Sequence, residues 1–182
     1  MFLKFKKSAF ELKNIKNICL LSLFAVLKII LSSLKIAVAP EIYISFGFLI
    51  YIFVGGFFGP FCSVIFAIIT YILGFVFVTY IPFHFGFLFS SVVSCFIFSL
   101  FLYKQKFRFK RVVLGTIVND VVVHFFLNIL WLSQLFHNGD FLKAFVVRVP
   151  KSFIMLFVDC FLAVLVIVFL KKLSKILKFN IE

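Results

Sequence analysis

The chain has 182 residues, of which 65% are hydrophobic and 14% are charged, and 32 of them are phenylalanines. A water-soluble domain of this size has too much surface for its volume to bury so many apolar side chains, so the composition excludes that class. A net charge of +13 would suit nucleic acid, but the positions of the basic residues argue against nucleic acid as a partner.

The basic residues concentrate in three polar segments. Five lysines lie in 4–16, five lysines and arginines in 104–111, and four lysines in 171–178. Segments rich in lysine and arginine stay on the cytoplasmic side during membrane insertion, and they suit anionic lipid headgroups. The charge pattern therefore predicts contact with a lipid bilayer.

Apolar stretches long enough to cross about 30 Å of hydrocarbon recur along the chain. They predict transmembrane spans at 17–37, 45–58, 61–79, 87–103, 112–133 and 147–170. An even number of spans brings all three basic segments to one side of the membrane. The sequence thus predicts an all-α membrane protein with six transmembrane helices, both termini in the cytoplasm, and a single domain over residues 1–182.

The fifth span carries polar residues at helical spacing. At 100° per residue, Asp120, His124, Asn128 and Trp131 fall within about 80° of one another on the helix. Such a strip facing lipid would cost several kcal/mol, so we expect it to face protein or a wet cavity.

The sixth span carries a second polar strip. Arg148 and Lys151 lie near its predicted outer end, where an outward-facing pocket for a carboxylate would explain them. Alternatively, these two cations extend to the lipid interface. Asp159, near the middle of the span, and Asp120 have an alternative role of their own, in which they pair with Lys28 or with each other's neighbours as structural links between helices.

The sequence lacks the short motifs of the common nucleotide-binding proteins, serine hydrolases and zinc proteases. It has no GxxxxGK[ST], GxSxG, HExxH or GxGxxG sequence, and its four cysteines form no CxxC or Cys/His metal pattern. We therefore predict no catalytic residues, no metal and no cofactor, and a protein that is not an enzyme. Two alternatives stay open: an intramembrane enzyme using Asp120, His124 and Asp159 as acid–base groups, or a structural membrane subunit.

Short motifs spread over about residues 12–172 resemble a known family in their order and spacing. They are LKIILSS (27–33), ISFGFL (44–49), FGP (58–60), ILGF (72–75), LFLYK (100–104), LNILWLS (127–133) and RxxKxxIML (148–156). This pattern resembles the substrate-binding S-components of energy-coupling-factor (ECF) vitamin transporters, most closely the folate family.

The resemblance implies a six-helix fold that binds a vitamin, here folate, near the outer face of a bacterial plasma membrane. It implies a ligand site made of Phe46, Phe87, His124, Asn128, Trp131, Arg148 and Lys151. Arg148 and Lys151 would hold the carboxylates, aromatic rings would enclose the pterin, and Asn128 with His124 would bind the ring edge.

The resemblance also implies partners. An ABC-type importer of this family contains a membrane coupling subunit and two cytosolic ATPase subunits. Small residues of the first helix would contact the coupling subunit, and here they are Ser22, Ala25 and Val26. The S-component would then topple in the membrane and deliver its ligand inward.

The chain departs from the family pattern at several positions. Tyr43 replaces a basic residue, Ile50 and Tyr51 replace Pro-Asn, Thr70 replaces Asp, and Asp120 and His124 replace amides. A riboflavin-, thiamine- or pantothenate-like vitamin therefore stays open as an alternative ligand.

Overall fold

The computed structural model describes residue 8 and residues 14–39, 42–78, 83–105, 108–136 and 141–177. Its elements are α1 (Ile15–Ser33), β1 (Lys35–Ala39), β2 (Ile42–Ser45), α2 (Phe48–Val78), α3 (Phe85–Leu102), α4 (Phe109–Asn119), a π-helical segment (Asp120–Leu127), α5 (Asn128–Phe136) and α6 (Phe141–Leu177).

The described part of the chain contains four helices that are long and apolar enough to cross a membrane. They are Ile15–Ser33, Phe48–Phe77, Phe85–Leu102 and Phe109–Gln134, and α6 contains a shorter apolar stretch, Ser152–Val168. The predicted class, a helical membrane protein, is confirmed. Six spans and cytoplasmic termini stay predictions.

A short hairpin follows α1, where the first predicted span continues to residue 37. The helix ends at Ser33, four residues before the predicted end of the first span, because the chain enters β1. Strands β1 and β2 pair antiparallel, with Lys35 opposite Ser45 and Ile36 opposite Ile44. The fold is therefore helical with one added two-stranded hairpin.

Helix α2 consists of two arms, 48–58 and 60–78, that break at Gly59. Gly59 has φ = 79° and ψ = −176°, which a residue with a Cβ rarely adopts. The rings of Tyr51 and Phe66 lie 6.4 Å apart between centroids, whereas 15 residues of straight helix would separate them by about 22 Å. The two arms therefore fold back on each other as a helical hairpin.

Ser8 stabilises the start of the second arm. Its buried hydroxyl accepts the backbone N–H groups of Phe61 and Cys62, each at 3.2 Å, and donates to the Phe58 carbonyl at 2.6 Å. The first N–H groups of a helix have no partner within the helix, so a side chain from elsewhere must satisfy them. A residue over fifty positions away thus caps this turn.

The fifth helical region is continuous but irregular. Asn119, Asp120 and Asn128, at the junctions of α4, the π-helical segment and α5, all have right-handed helical backbone angles. In a π-helix each backbone N–H donates to the carbonyl five residues earlier in the chain. Its side chains are therefore distributed around the helix axis differently from those of an α-helix. This region lies between α3 and α6.

Candidate functional site

A cavity of about 240 Å³ lies between α1, both arms of α2, α3 and the fifth helical region. It is open on one side and lined by aromatic, amide, hydroxyl and cationic side chains. Such a mixture is typical of a small-molecule site, in which apolar walls supply contact area and a few polar groups fix orientation.

Four aromatic side chains line this cavity: Phe48, Tyr51, Tyr71 and Phe87. The Tyr71 hydroxyl donates to the His84 carbonyl at 3.0 Å, which ties the second arm of α2 to the start of α3. The Phe87 ring lies edge-on to the His84 imidazole, with centroids 5.8 Å apart. Rings held in this way present stacking faces for a flat ligand.

Two amides in the cavity wall have buried carbonyl oxygens without a hydrogen-bond partner. Asn119 is 1% exposed, and neither its Oδ1 nor that of Asn128 has a partner. An unsatisfied buried acceptor costs about 1–3 kcal/mol. A ligand N–H that reached either oxygen would remove that cost, so these amides suit a ligand with hydrogen-bond donors on its ring edge.

Lys28 brings a positive charge into the cavity from the middle of α1. Its side chain is 9% exposed, and its ammonium donates to the Thr70 carbonyl at 3.4 Å and lies 5.3 Å from the Tyr51 ring centroid. Among the side chains that the structure describes, none supplies a carboxylate within 4.0 Å of it. A buried ammonium in this position favours an anionic ligand.

The polar strip predicted for the fifth span is present as a chain of contacts. Asn128 Nδ2 lies 3.2 Å from His124 Nδ1, and His124 Nε2 lies 4.0 Å from Asp120 Oδ1. His124 and Asn128 line the cavity, whereas Asp120 is buried on the side of α6 with Asp159. The pairing with Lys28 considered for these two carboxylates is not formed, because the Lys28 ammonium contacts Thr70 instead.

Three of the seven predicted ligand-site residues line the cavity: Phe87, His124 and Asn128. Trp131 lies behind the wall, where its indole donates to the hydroxyl of Ser90, a lining residue, at 3.2 Å. Phe46 is half-buried just before Phe48 and is not among the lining residues that the structure describes.

The two remaining predicted site residues, Arg148 and Lys151, belong to α6. Their side chains lie outside the described residues. Their proposed role toward a carboxylate therefore stays a prediction.

Sequence reasoning missed Lys28 and Asn119 as cavity residues. A lysine in the middle of an apolar span is itself a signal of function, and only its position in the fold shows where it points. Asn119 is nine residues before Asn128, which on an α-helix is about 180° away. The π-helical segment between them changes that rotation and brings both amides to one cavity.

The predicted partner-contact residues Ser22, Ala25 and Val26 line a second hollow of about 330 Å³. It lies between α1 and the second arm of α2, whose Phe66 and Ile69 form part of its apolar wall. This hollow is separate from the first cavity, since no residue lines both.

Comparison with known proteins places the chain in a family. No family model matches it. The folate transporter FolT of Clostridium novyi (strain NT) is 30% identical over 148 residues, which cover 79% of this chain and 83% of that protein. A crystal structure of FolT bound with folic acid has the same fold, with a TM-score of 0.72 over 82% of this chain and 91% of that one at 24% identity.

The matched protein is a transporter, which removes the intramembrane-enzyme alternative. The chain belongs to the FolT family, the folate family of ECF-transporter S-components, and is a membrane transport protein.

Proposed function

We propose that the chain captures folate in the 240 Å³ cavity between α1, α2, α3 and the fifth helical region and delivers it inward as part of an ECF-type importer. The observation that carries this proposal is the chemistry of the cavity wall, where aromatic faces, two partnerless amide oxygens and a buried ammonium meet. Folate combines a flat heterocycle that has N–H donors with a tail that ends in carboxylates. Each of these groups has a complement in the wall.

The pterin ring stacks between aromatic side chains such as Phe87 and Phe48, its amino and N–H groups donate to Asn119, and the Asn128 amide forms a hydrogen bond with the ring edge. Lys28 attracts the anionic part of the ligand. The cavity volume is below the roughly 300–1,000 Å³ typical of drug-sized ligands. It therefore encloses the ring system and leaves part of the glutamate tail outside, so that Lys28 meets one tail carboxylate, while Arg148 and Lys151 are the predicted partners of the other.

The orientation in the bacterial plasma membrane follows from the basic segments. The helical hairpin of α2 contributes two crossings, so α1, the two arms, α3, the fifth helical region and α6 give six. An even number keeps both termini, and the basic segment at 104–111, in the cytoplasm. The basic segments and the α2 hairpin support this topology.

Energy for uptake comes from a membrane coupling subunit and two cytosolic ATPases. The hollow lined by Ser22, Ala25 and Val26 is the docking surface for the coupling subunit. Small residues let helices approach closely in a membrane, which supports this assignment.

Ligand binding to the purified full-length chain in lipid nanodiscs tests the function. Trp131 is the one tryptophan in the sequence, and its hydrogen bond to Ser90 couples its fluorescence to the cavity wall. Titration should give tight, one-to-one folate binding, with no response to riboflavin, thiamine or pantothenate. Saturable binding of one of those vitamins instead of folate would overturn the ligand assignment.

A Lys28→Met variant tests the anion-binding role in the same assay. It keeps the apolar stem but removes the charge, and loss of a charged hydrogen bond worth about 1.5–3 kcal/mol should weaken folate binding roughly tenfold to a hundredfold. Lys16→Met is the matched control, because Lys16 is exposed at the start of the same helix. Equal affinity of both variants for folate would exclude Lys28 from the site.

A further inference from the structure

Three ionisable side chains meet between the π-helical segment and α6. A carboxylate oxygen of Asp120, a carboxylate oxygen of Asp159 and a ring nitrogen of His124 all lie within 4.8 Å of one another. Both aspartates are 1% exposed, while the His124 side chain is 34% exposed and borders the cavity. The cluster therefore lies just behind the wall of the proposed folate site.

The charges of this cluster are not balanced by the side chains that the structure describes. Asp120 Oδ2 and Asp159 Oδ1 are buried and have no hydrogen-bond partner. In the described part of the chain, His124 alone brings a basic nitrogen within 4.0 Å of either carboxylate. Two ionised carboxylates that face each other in a low-dielectric interior repel strongly, so the pair is neutralised either by protonation or by a cation between the two groups.

We propose that Asp120, His124 and Asp159 form a binding site for one divalent transition-metal ion. Two carboxylates and a neutral imidazole neutralise such an ion completely, which a membrane interior favours. This inference does not depend on the identity of the vitamin, and it revises the expectation from the sequence that no metal is bound.

The donor set selects the class of metal. Imidazole together with carboxylate suits Zn²⁺, Mn²⁺ or Fe²⁺, whereas Mg²⁺ and Ca²⁺ favour all-oxygen sites. Ligand atoms around zinc lie about 2.0–2.2 Å from the ion, hence roughly 3.3–3.6 Å from one another. The three ligand atoms lie within 4.8 Å of one another, so binding an ion requires rotations of the aspartate side chains that shorten these separations to that range.

Asn128 orients the imidazole for this role. It lies 3.2 Å from His124 Nδ1, and its own Oδ1 has no partner. With the amide turned so that Oδ1 accepts from Nδ1–H, the lone pair of Nε2 faces the carboxylates. Metal-binding histidines are commonly fixed by such a hydrogen bond on the other nitrogen.

The test uses the full-length chain in nanodiscs, stripped with a chelator and titrated with Mn²⁺. Because Mn²⁺ has little affinity for thiolates, the four cysteines do not confuse the measurement. We expect one tightly bound Mn²⁺ per chain, measured by loss of the free-ion electron paramagnetic resonance signal. We also expect nitrogen hyperfine coupling from one imidazole, a readout that needs no variant. Absence of stoichiometric binding, or of the nitrogen coupling, would overturn the proposal.

Asp159→Asn should weaken Mn²⁺ binding at least about a hundredfold, since even an outer partner of a metal ligand contributes tenfold to a hundredfold. Ser152→Ala is the matched control, because Ser152 is also buried on α6 but lies outside the cluster. Retention of the bound metal in Asp159→Asn would assign it to another site and refute the proposal. Folate affinity, measured in the same samples, reports separately on the proposed function.

Discussion

Asn119 combines almost complete burial with an unsatisfied acceptor in the wall of the cavity. Its Oδ1 has no partner, while its Nδ2 donates to Asp120 Oδ1 at 3.4 Å. The amide therefore has one side bonded within the protein and the other side available to a ligand. This arrangement fixes the orientation of the carbonyl before any ligand arrives, which reduces the entropy lost on binding.

Asn119→Leu should lower folate affinity about tenfold, because one ligand hydrogen bond worth roughly 1–1.5 kcal/mol is lost. The measurement is the Trp131 fluorescence titration, with thermal unfolding as a check that the fold is kept. Asn17→Leu, which changes an amide on α1 outside the cavity, should bind folate normally. An unchanged folate affinity in a folded Asn119→Leu variant would show that the amide does not contact the ligand.

At the scale of elements, the two-armed helix α2 and the π-helical segment determine which side chains line the cavity. The break at Gly59 returns the chain so that Tyr51 and Tyr71, one from each arm, both line the cavity. The π-helical segment turns Asn119 and Asn128 toward the same space. A straight α2 or a regular fifth helix would separate these side chains, so the cavity depends on both irregularities.

Gly59→Ala tests the turn. A Cβ at Gly59 would lie 2.7 Å from the Tyr103 ring, and the φ of 79° is unfavourable for alanine. The combined strain should lower the free energy of unfolding by about 2–4 kcal/mol, visible as a lower melting temperature in nanodiscs.

Gly74→Ala is the matched control on the same helix. A Cβ there meets no heavy atom within 4 Å, so the change should raise helix stability by up to about 1 kcal/mol. A Gly59→Ala protein that is as stable as the Gly74→Ala protein would contradict the role of Gly59.

At the scale of the whole molecule, α1 links two separate surfaces. It brings Lys28 to the ligand cavity and Val26 to the apolar hollow. Only 6% of the residues in its membrane span are buried within the chain, against 61% for α2. Because so little of α1 is buried within its own chain, its exposed face can exchange contact with lipid for contact with a partner subunit at a low cost in free energy.

Val26→Trp should therefore separate binding from transport. Val26 is 58% exposed, so the larger ring fits without disturbing the core but fills the hollow. We expect unchanged folate affinity for the isolated chain and at least tenfold slower ATP-driven uptake in proteoliposomes that contain the coupling subunit and ATPases. Leu23→Trp, at a site that is 60% exposed but outside the hollow, should transport normally. Equal uptake by both variants would refute the docking surface.

The sequence by itself determined that this is a helical membrane protein of the folate S-component family, since apolar span length and motif order are local properties of the chain. It also predicted that His124 and Asn128 share one face, because four-residue spacing holds them adjacent in either type of helix. The boundary between the predicted spans 45–58 and 61–79 coincides with the break at Gly59, because glycine and proline impose local backbone angles.

Tertiary structure alone decided where those local features point. The partners of Lys28, the cap that Ser8 provides and the meeting of Asp120 with Asp159 each join positions distant in the sequence. The hairpin after α1 depends on pairing between strands, and the π-helical segment packs against α3 and α6. Such contacts follow from how whole helices pack, which spacing along one helix does not encode.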